Sequence, residues 1–409
     1  MSQKKLGFLS IFSLVVGSQI GSGIFATPFV LAPYGLWGAL GWAISGSIAV
    51  VLAIIFAKLC MQFPKTGGPH VYALEGFGET AGFFVGWAYW IASWASTPIV
   101  TITAIAYLSS VLPIQNPLIW QISLLAFITL LNMKSVAAAG KAEFILTLFK
   151  IIPLVAIPLI ALYHFDVKNI KTLEVIDMPS IQNIIMTTLF CFLGLESATA
   201  PAEFVDQPQK TIPKAIIAGT TFVALVYLLN SLGLLGLVDT TALMHSKAPY
   251  ADATSVLFGN FSFVMAIIGA FVCISTLNAW VLTSGQIAYG LAKDGLFPSI
   301  FKKQNRNGSP YVSVIVSSLL IVPLLILIDD KNVSEQISLV LDYSMILVLF
   351  VYGVSSLALI KLLKHRVLGG LGFVICFLIA VLTPFAQTLV SCTLILLGIP
   401  MFIYIKRKK

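Results

Sequence analysis

Gly17-Ser18-Gln19-Ile20-Gly21-Ser22-Gly23-Ile24-Phe25 interrupts an apolar run that extends from Leu6 to Pro33. A glycine in a helix interior costs ~1 kcal/mol relative to alanine, and here three glycines and three polar side chains fall within nine residues. The stretch therefore predicts a helix that unwinds part-way along. Unwound backbone at membrane depth is tolerated only where it is buried in protein or lines a cavity. Farther on, Phe192-Leu193-Gly194-Leu195-Glu196-Ser197-Ala198-Thr199 repeats the combination of glycine and polar residues inside an apolar run. Matching interruptions in two halves of a chain point to inverted repeats with a site between them. The competing reading, a small-xxx-small contact such as Gly17 to Gly21, accounts for one interruption more easily than for two.

Composition identifies the solvent. Of 409 residues, 58% are hydrophobic and only 10% charged, with a mean hydropathy of +0.99, whereas soluble domains carry about 25% charged residues. That much apolar surface needs a bilayer. Lys4 and Lys5 precede the first apolar run as in a secretory signal, but no small-residue cleavage site is evident before Pro33, so the run reads as a retained span. Cys60, Cys191, Cys273, Cys376 and Cys392 are scattered without a close pair and read as small buried hydrophobes. His70, His164, His245 and His365 fall in loops or at helix ends, far apart in sequence. No metal site, catalytic triad or cofactor is expected from them.

A bilayer core takes ~20 apolar residues per helix. The chain divides into twelve such stretches, near 7–34, 37–60, 80–112, 117–133, 143–163, 181–202, 213–238, 255–290, 310–328, 336–361, 367–385 and 387–405. The expected fold is an all-α membrane protein of twelve transmembrane helices forming one polytopic domain over 1–409. Two inverted five-helix repeats, about 7–163 and 181–361, are followed by two further helices at about 367–405, and helices 1 and 6 are broken at mid-membrane. With the N-terminus inside, nineteen of the twenty-four Lys and Arg residues fall on the inner side. Only Lys168, Lys171, Lys247 and Lys331 fall outside, and Lys150 lies within a span. Both termini are therefore expected to be cytoplasmic. The net charge of +8 is explained by orientation and needs no nucleic acid.

The interrupted helices offer a site for a zwitterion. The N–H groups of Ser22, Gly23 and Ile24, at the start of the second half-helix, can hold a carboxylate, with the Ser22 hydroxyl assisting. Carbonyls freed near Gln19, Phe190 and Leu193 can accept from an ammonium group. Glu196, Lys150 and Asp342 fall well inside spans, and an ionisable group costs at least ~2.5 kcal/mol at the bilayer centre. Glu196 beside the second interruption reads as a coupling or gating group, or as a structural hydrogen-bond anchor. Lys150, about two turns from the inner end of its span, reads as a snorkelling side chain. Asp342 is either hydrated near the outer face or pairs with a cationic side chain of the solute, with Trp280 as a cation–π surface. Trp280 alone could equally be core packing.

Five motifs in order carry a family likeness: Gly21-Ser22-Gly23-Ile24-Phe25, Pro64-Lys65-Thr66-Gly67-Gly68, Gly194-Leu195-Glu196-Ser197, Pro208-Gln209-Lys210-Thr211-Ile212-Pro213, and Ala292-Lys293-Asp294-Gly295-Leu296-Phe297-Pro298. Over nearly its whole length the chain resembles the amino acid, polyamine and organocation permeases. Within them it looks most like the basic amino acid and polyamine antiporters, which include arginine/agmatine exchangers. The resemblance implies two inverted repeats working by alternating access. It implies that Ser22 and Gly23 hold the carboxylate, and that Gln19, Phe190 and Leu193 accept from the amino group. It further implies that Trp280 stacks on a cationic side chain, that Tyr89 gates, and that Glu196 serves pH or proton coupling. In some proton-coupled permeases of the superfamily a lysine placed like Lys150 stands in for a sodium ion against helix 1, and the arginine exchangers lack it. The chain also departs from the arginine exchangers at Phe190, where they have a gating tryptophan, and at Ser18 and Thr97, where they have asparagines.

The expected function is secondary active transport of amino acids, with basic amino acids or polyamines as candidates, across the cytoplasmic membrane by antiport. The alternative is proton-coupled symport of neutral amino acids, with Lys150 in place of sodium. An intramembrane enzyme would need paired catalytic groups within the spans, a channel would favour pore-lining rings, and an ATP-driven pump would need a phosphate-binding Gly loop with its Lys. The sequence displays none of these. The expected partners are an amino acid or amine, the lipid bilayer and protons, with a homodimer as an open option. The expected location is a bacterial inner membrane.

Overall fold

The structure, a computed structural model, describes residues 7–65, 68–134, 136–199, 202, 205–246, 248–259, 262–331, 333–383 and 385–408. The first apolar run forms two helices, α1 (Phe8–Gln19) and α2 (Ser22–Leu31). Ile20, at ψ 93°, and Gly21, at φ −138° and ψ −144°, leave the helical region between them. Beyond α2 come α3 (Leu36–Gln62), the short α4 (Pro69–Phe77), α5 (Glu79–Ala95) and α6 (Thr97–Ser109). The joint at Ser96 between α5 and α6 reflects Pro98, which has no N–H to give and clashes with a continuing helix. Next are α7 (Pro117–Asn132), α8 (Val136–Tyr163) and α9 (Met178–Phe190).

The sixth apolar run, expected to be helical to residue 202, leaves the α-helix after Phe190. Cys191–Glu196 follow as turns, with Gly194 at φ +96°, and Ser197–Thr199 form a 3-10 turn. The chain continues through α10 (Pro208–Leu237), the short α11 (Thr240–Met244) and α12 (Pro249–Phe258), and α13 (Ser262–Lys293). Residues 255–258, expected to open the eighth span, instead end α12, because Gly259 at φ +60° turns the chain before α13. The last helices are α14 (Tyr311–Leu327), α15 (Val333–Leu363), α16 (Arg366–Leu382), α17 (Phe385–Leu396) and α18 (Gly398–Lys408).

Among the described residues, six helical stretches, such as Leu36–Gln62 and Pro208–Leu237, are long and apolar enough to cross a membrane, and five shorter apolar helices accompany them. The outside is apolar as well. Val367, Leu371, Val374, Leu378 and Val381 make an exposed row down one face of α16, a surface that lipid solvates and water does not. The protein is thus a multi-pass, all-helical membrane protein. Four cysteines are buried as expected, and Cys392 is exposed on α17.

Inside, α3 lies along α10, α1 packs on both α8 and α10, and α13 packs on α6. A loop between α8 and α9 straps the ends of these helices together. Leu173 and Glu174 donate their N–H groups to Pro33 O at 2.8 and 3.2 Å, Asp166 N–H reaches Gly236 O at 2.9 Å, and Lys171 pairs with Asp239 at 2.5 Å. The Lys171 hydrogen bond, with those from Thr241, holds the Asp239 carboxyl well below the usual carboxylate range.

Candidate functional site

The break after α1 leaves the N–H groups of Ser22, Gly23 and Ile24 as the first three of α2. None has an intrahelical acceptor, and the helix dipole makes this end positive. Close approach on two sides requires the glycines. A Cβ on Gly21 would lie 2.5 Å from Thr276 Cγ2 of α13, and one on Gly23 would lie 2.6 Å from Cys191 Sγ at the second break. The second break returns the contact, since a Cβ on Gly194 would meet Ser18 Cβ at 2.8 Å. Tyr227 of α10 ties them together: its hydroxyl, with one proton to donate, lies 2.6 Å from Gln19 O and 3.1 Å from Cys191 O.

Six of the residues assigned from sequence, Gln19, Ser22, Gly23, Phe190, Leu193 and Trp280, line one cavity at this junction. The start of α2 and the chain at both breaks therefore border a common space beside an indole. Ser96, Val100, Cys191 and Thr276 share the wall, and sequence reasoning missed them. Thr276 had a signal, because it precedes Trp280 by one helical turn on α13 and so shares its face.

Three assigned residues are placed differently. The Thr97 hydroxyl is buried and donates to Ser93 O at 2.9 Å, and its neighbour Ser96 lines the cavity. The side chain of Ile24 lines a separate cavity with Thr27, Trp42, Tyr227 and Tyr250, so Ile24 offers the site only its N–H. Asp342 falls within α15, and its side chain lies outside the described ones.

Two buried ionisable groups, Glu196 and Lys150, lie beside the breaks. Glu196 is 1% exposed and accepts from Tyr89 Oη at 2.7 Å through Oε1 and from Tyr352 Oη at 2.5 Å through Oε2. Tyr352 carried no signal in the sequence. Lys150 does not snorkel: it is 1% exposed, and its ammonium donates to Gly17 O and to Thr276 Oγ1, each at 3.3 Å. One ammonium thus joins α8, the end of α1 and α13. His70 Nε2 and Asp294 Oδ2 lie 2.9 Å apart, which connects α4 to the segment after α13. Thr66 and Gly67, in the motif just before α4, lie outside the described residues.

Comparison with known proteins gives matches along most of the chain. The family profile described as "Amino acid permease" matches residues 6–407. The chain is 31% identical over 340 residues to a cadaverine/lysine antiporter of Escherichia coli strain K12, covering 81% of this chain and 76% of that protein. It is 29% identical over 375 residues to a putrescine transporter of Haemophilus influenzae, covering 88% and 85%. Against a putrescine transporter of Escherichia coli strain K12 it is 25% identical over 370 residues, covering 88% and 84%. These relatives are transporters, not enzymes.

Proposed function

Because the chain belongs to the amino acid permease family, we propose that it is a secondary active transporter that exchanges amino acids or related amines across a bacterial cytoplasmic membrane by alternating access. The observation that carries this reading is the common cavity at the two helix breaks, where the positive end of α2 meets the backbone of the second break. A carboxylate binds to Ser22, Gly23 and Ile24 N–H and to the Ser22 hydroxyl. The α-ammonium group binds carbonyls of Gln19, Phe190 and Leu193, and Trp280 receives the side chain. Purified protein in liposomes preloaded with single amino acids or amines tests this. Uptake of labelled amino acid only into preloaded vesicles is expected, and uptake driven into empty vesicles by a pH gradient would favour symport.

The architecture behind this reading is one domain over 1–409 with twelve spans. These are α1 with α2, α3, α5 with α6, α7, α8, α9 with its following turns, α10, α13, α14, α15, α16, and α17 with α18. Repeat one covers about 7–163 and repeat two about 181–361. The packing supports it, because replacing each span by its counterpart five places away in the other repeat turns one contact into another. The pair α1 and α10 becomes α9 and α3, α14 and α5 becomes α7 and α13, and α8 and α13 becomes α15 and α5. The distribution of Lys and Arg supports cytoplasmic termini.

Lys150 supports independence from sodium, since its ammonium occupies a place against Gly17 O where a bound cation would sit. Exchange rates in sodium-free and sodium-containing buffers are expected to agree within about twofold; a strict sodium requirement contradicts this role. Glu196 bridges α5 and α15 through Tyr89 and Tyr352, so its protonation alters a contact between spans that must separate. Glu196→Gln is expected to flatten the pH dependence of exchange between pH 5 and 8, a range of about three decades of proton activity. An unchanged pH profile removes the coupling role. Asp342→Asn is expected to weaken competition by lysine, arginine and ornithine about tenfold relative to leucine, as loss of one ion pair predicts. Equal competition before and after removes Asp342 from the pocket.

A further inference from the structure

We infer that the protein holds an anionic phospholipid where α3 meets the turn between α15 and α16, with the phosphate among Lys58, Lys364 and Arg366 and the acyl chains against α3 and α16. This goes beyond solute exchange and does not depend on it. The cations come from two distant parts of the chain. Lys58 stands about one turn before the end of α3. Its Nζ lies 3.5 Å from His365 Nε2, in the two-residue turn that separates α15 from α16. Lys364 and Arg366 flank His365, and Arg366 N–H donates to Lys364 O at 2.9 Å, which ties the turn together. Lys364, His365 and Arg366 are exposed, and Lys58 is half-buried. Lys361, on the last turn of α15, rests 4.9 Å over the centre of the Phe77 ring.

The segments that build this cluster supply no acid to neutralise it. The first acidic residue of the chain is Glu75 and the last is Asp342, so residues 1–74 and 343–409 carry no side-chain carboxylate. Among the described residues, Lys58, Lys361, Lys364 and Arg366 take part in no salt bridge, and Glu75 pairs with Lys65. The neutralising anion therefore comes from outside the chain. Apolar surface beside the cluster selects a lipid over a soluble anion. Farther into the bilayer α3 and α16 run in close contact, since a Cβ on Gly372 would lie 2.4 Å from Ile55 Cδ1. The same two helices expose Leu371 and Leu378 on α16, and Leu40 and Ile44 on α3. A second copy of the chain seated here would bring the same cations and, from these segments, no acid to meet them. Basic residues clustered where spans leave the membrane attract anionic headgroups, each worth about fivefold in binding.

The test adds dioctanoyl phosphatidylglycerol to the purified full chain in neutral detergent and reads the concentration that half-maximally raises the melting temperature. Dioctanoyl phosphatidylcholine and glycerol 3-phosphate serve as controls. Phosphatidylglycerol is expected to act at about a hundredfold lower concentration than phosphatidylcholine, as three cations predict, and glycerol 3-phosphate to leave the melting temperature unchanged. In Lys58→Gln with Arg366→Gln the preference is expected to fall about twentyfold. Lys58→Arg with Arg366→Lys keeps it, which separates lost charge from lost packing. Lys406→Gln with Arg407→Gln removes as much charge from the far end of the chain and is expected to keep it too. An equal fall in both glutamine pairs, or none in the first, overturns the site. A wild-type preference below about threefold overturns the inference. Glycerol 3-phosphate acting as well as the lipid would assign the cations to a soluble anion instead. Stabilisation that follows protein concentration, with no lipid preference, would assign the face to a second copy.

Discussion

Gly23→Ala is expected to slow exchange about a hundredfold while the protein remains folded. The added Cβ would lie 2.6 Å from Cys191 Sγ, 3.0 Å from its Cβ and 3.4 Å from its Cα. Cys191 cannot retreat far, because its N–H bonds Thr188 O at 3.2 Å and its carbonyl faces the Tyr227 hydroxyl. The start of α2 must therefore move, and the three N–H groups proposed to receive the carboxylate move with it. Overpacking of this kind costs ~1–3 kcal/mol, and its upper end corresponds to about a hundredfold in rate or affinity. Counterflow of a labelled amino acid in liposomes, normalised to folded protein, measures it. The double variant Gly23→Ala with Cys191→Ala removes the sulfur, and about tenfold of the loss should return. A single variant at the wild-type rate would show that the two breaks need not touch.

Lys150→Met is expected to lose at least about thirtyfold in exchange at every pH between 5 and 8. Gly17 O would accept from Gly21 N–H in a continuous helix, but Gly21 lies in the break, and the Lys150 ammonium reaches that carbonyl instead. Methionine fills nearly the same volume and leaves packing largely intact. What disappears is the donor to Gly17 O and to Thr276 Oγ1. A buried acceptor left unsatisfied, here Gly17 O, costs ~1–3 kcal/mol, and the cost falls on the segment that positions Ser22 and Gly23. Counterflow measures the loss, and size-exclusion behaviour with a melting temperature separates it from unfolding. Wild-type counterflow by the variant would assign Lys150 to packing alone.

The residues that proved most legible were those whose role belongs to the backbone. Gly21, Ser22 and Gly23 announce a break because a run of flexible and polar residues is costly in any helix inside a bilayer, whatever surrounds it. Gly194 announces the other break for the same reason, and the structure places it at φ +96°. Side chains in the pocket were less legible. Thr97 was assigned to the cavity and Ser96 was not, yet the Thr97 hydroxyl turns back to Ser93 O while Ser96 lines the cavity. A rotation of one residue, about 100° around the helix axis, separates these outcomes, and the Ser96 joint before Pro98 sets it.

Local chemistry along the chain was enough for the apolar runs and the two interruptions. Each depends on a residue and its sequence neighbours, together with the bilayer as solvent. Which distant groups reach those interruptions was decided by tertiary packing. Tyr227 meets Gln19 O across 208 positions of chain, Lys150 meets Gly17 O across 133, and Tyr352 meets Glu196 across 156. Their partners are chosen by the rotation and close approach of whole helices, and approach that close was possible because glycines stand at 21, 23 and 194. A hydrogen bond forms or fails within a few tenths of an ångström. No local propensity resolves that distance, so the breaks could be read from the chain while the groups that hold them could not.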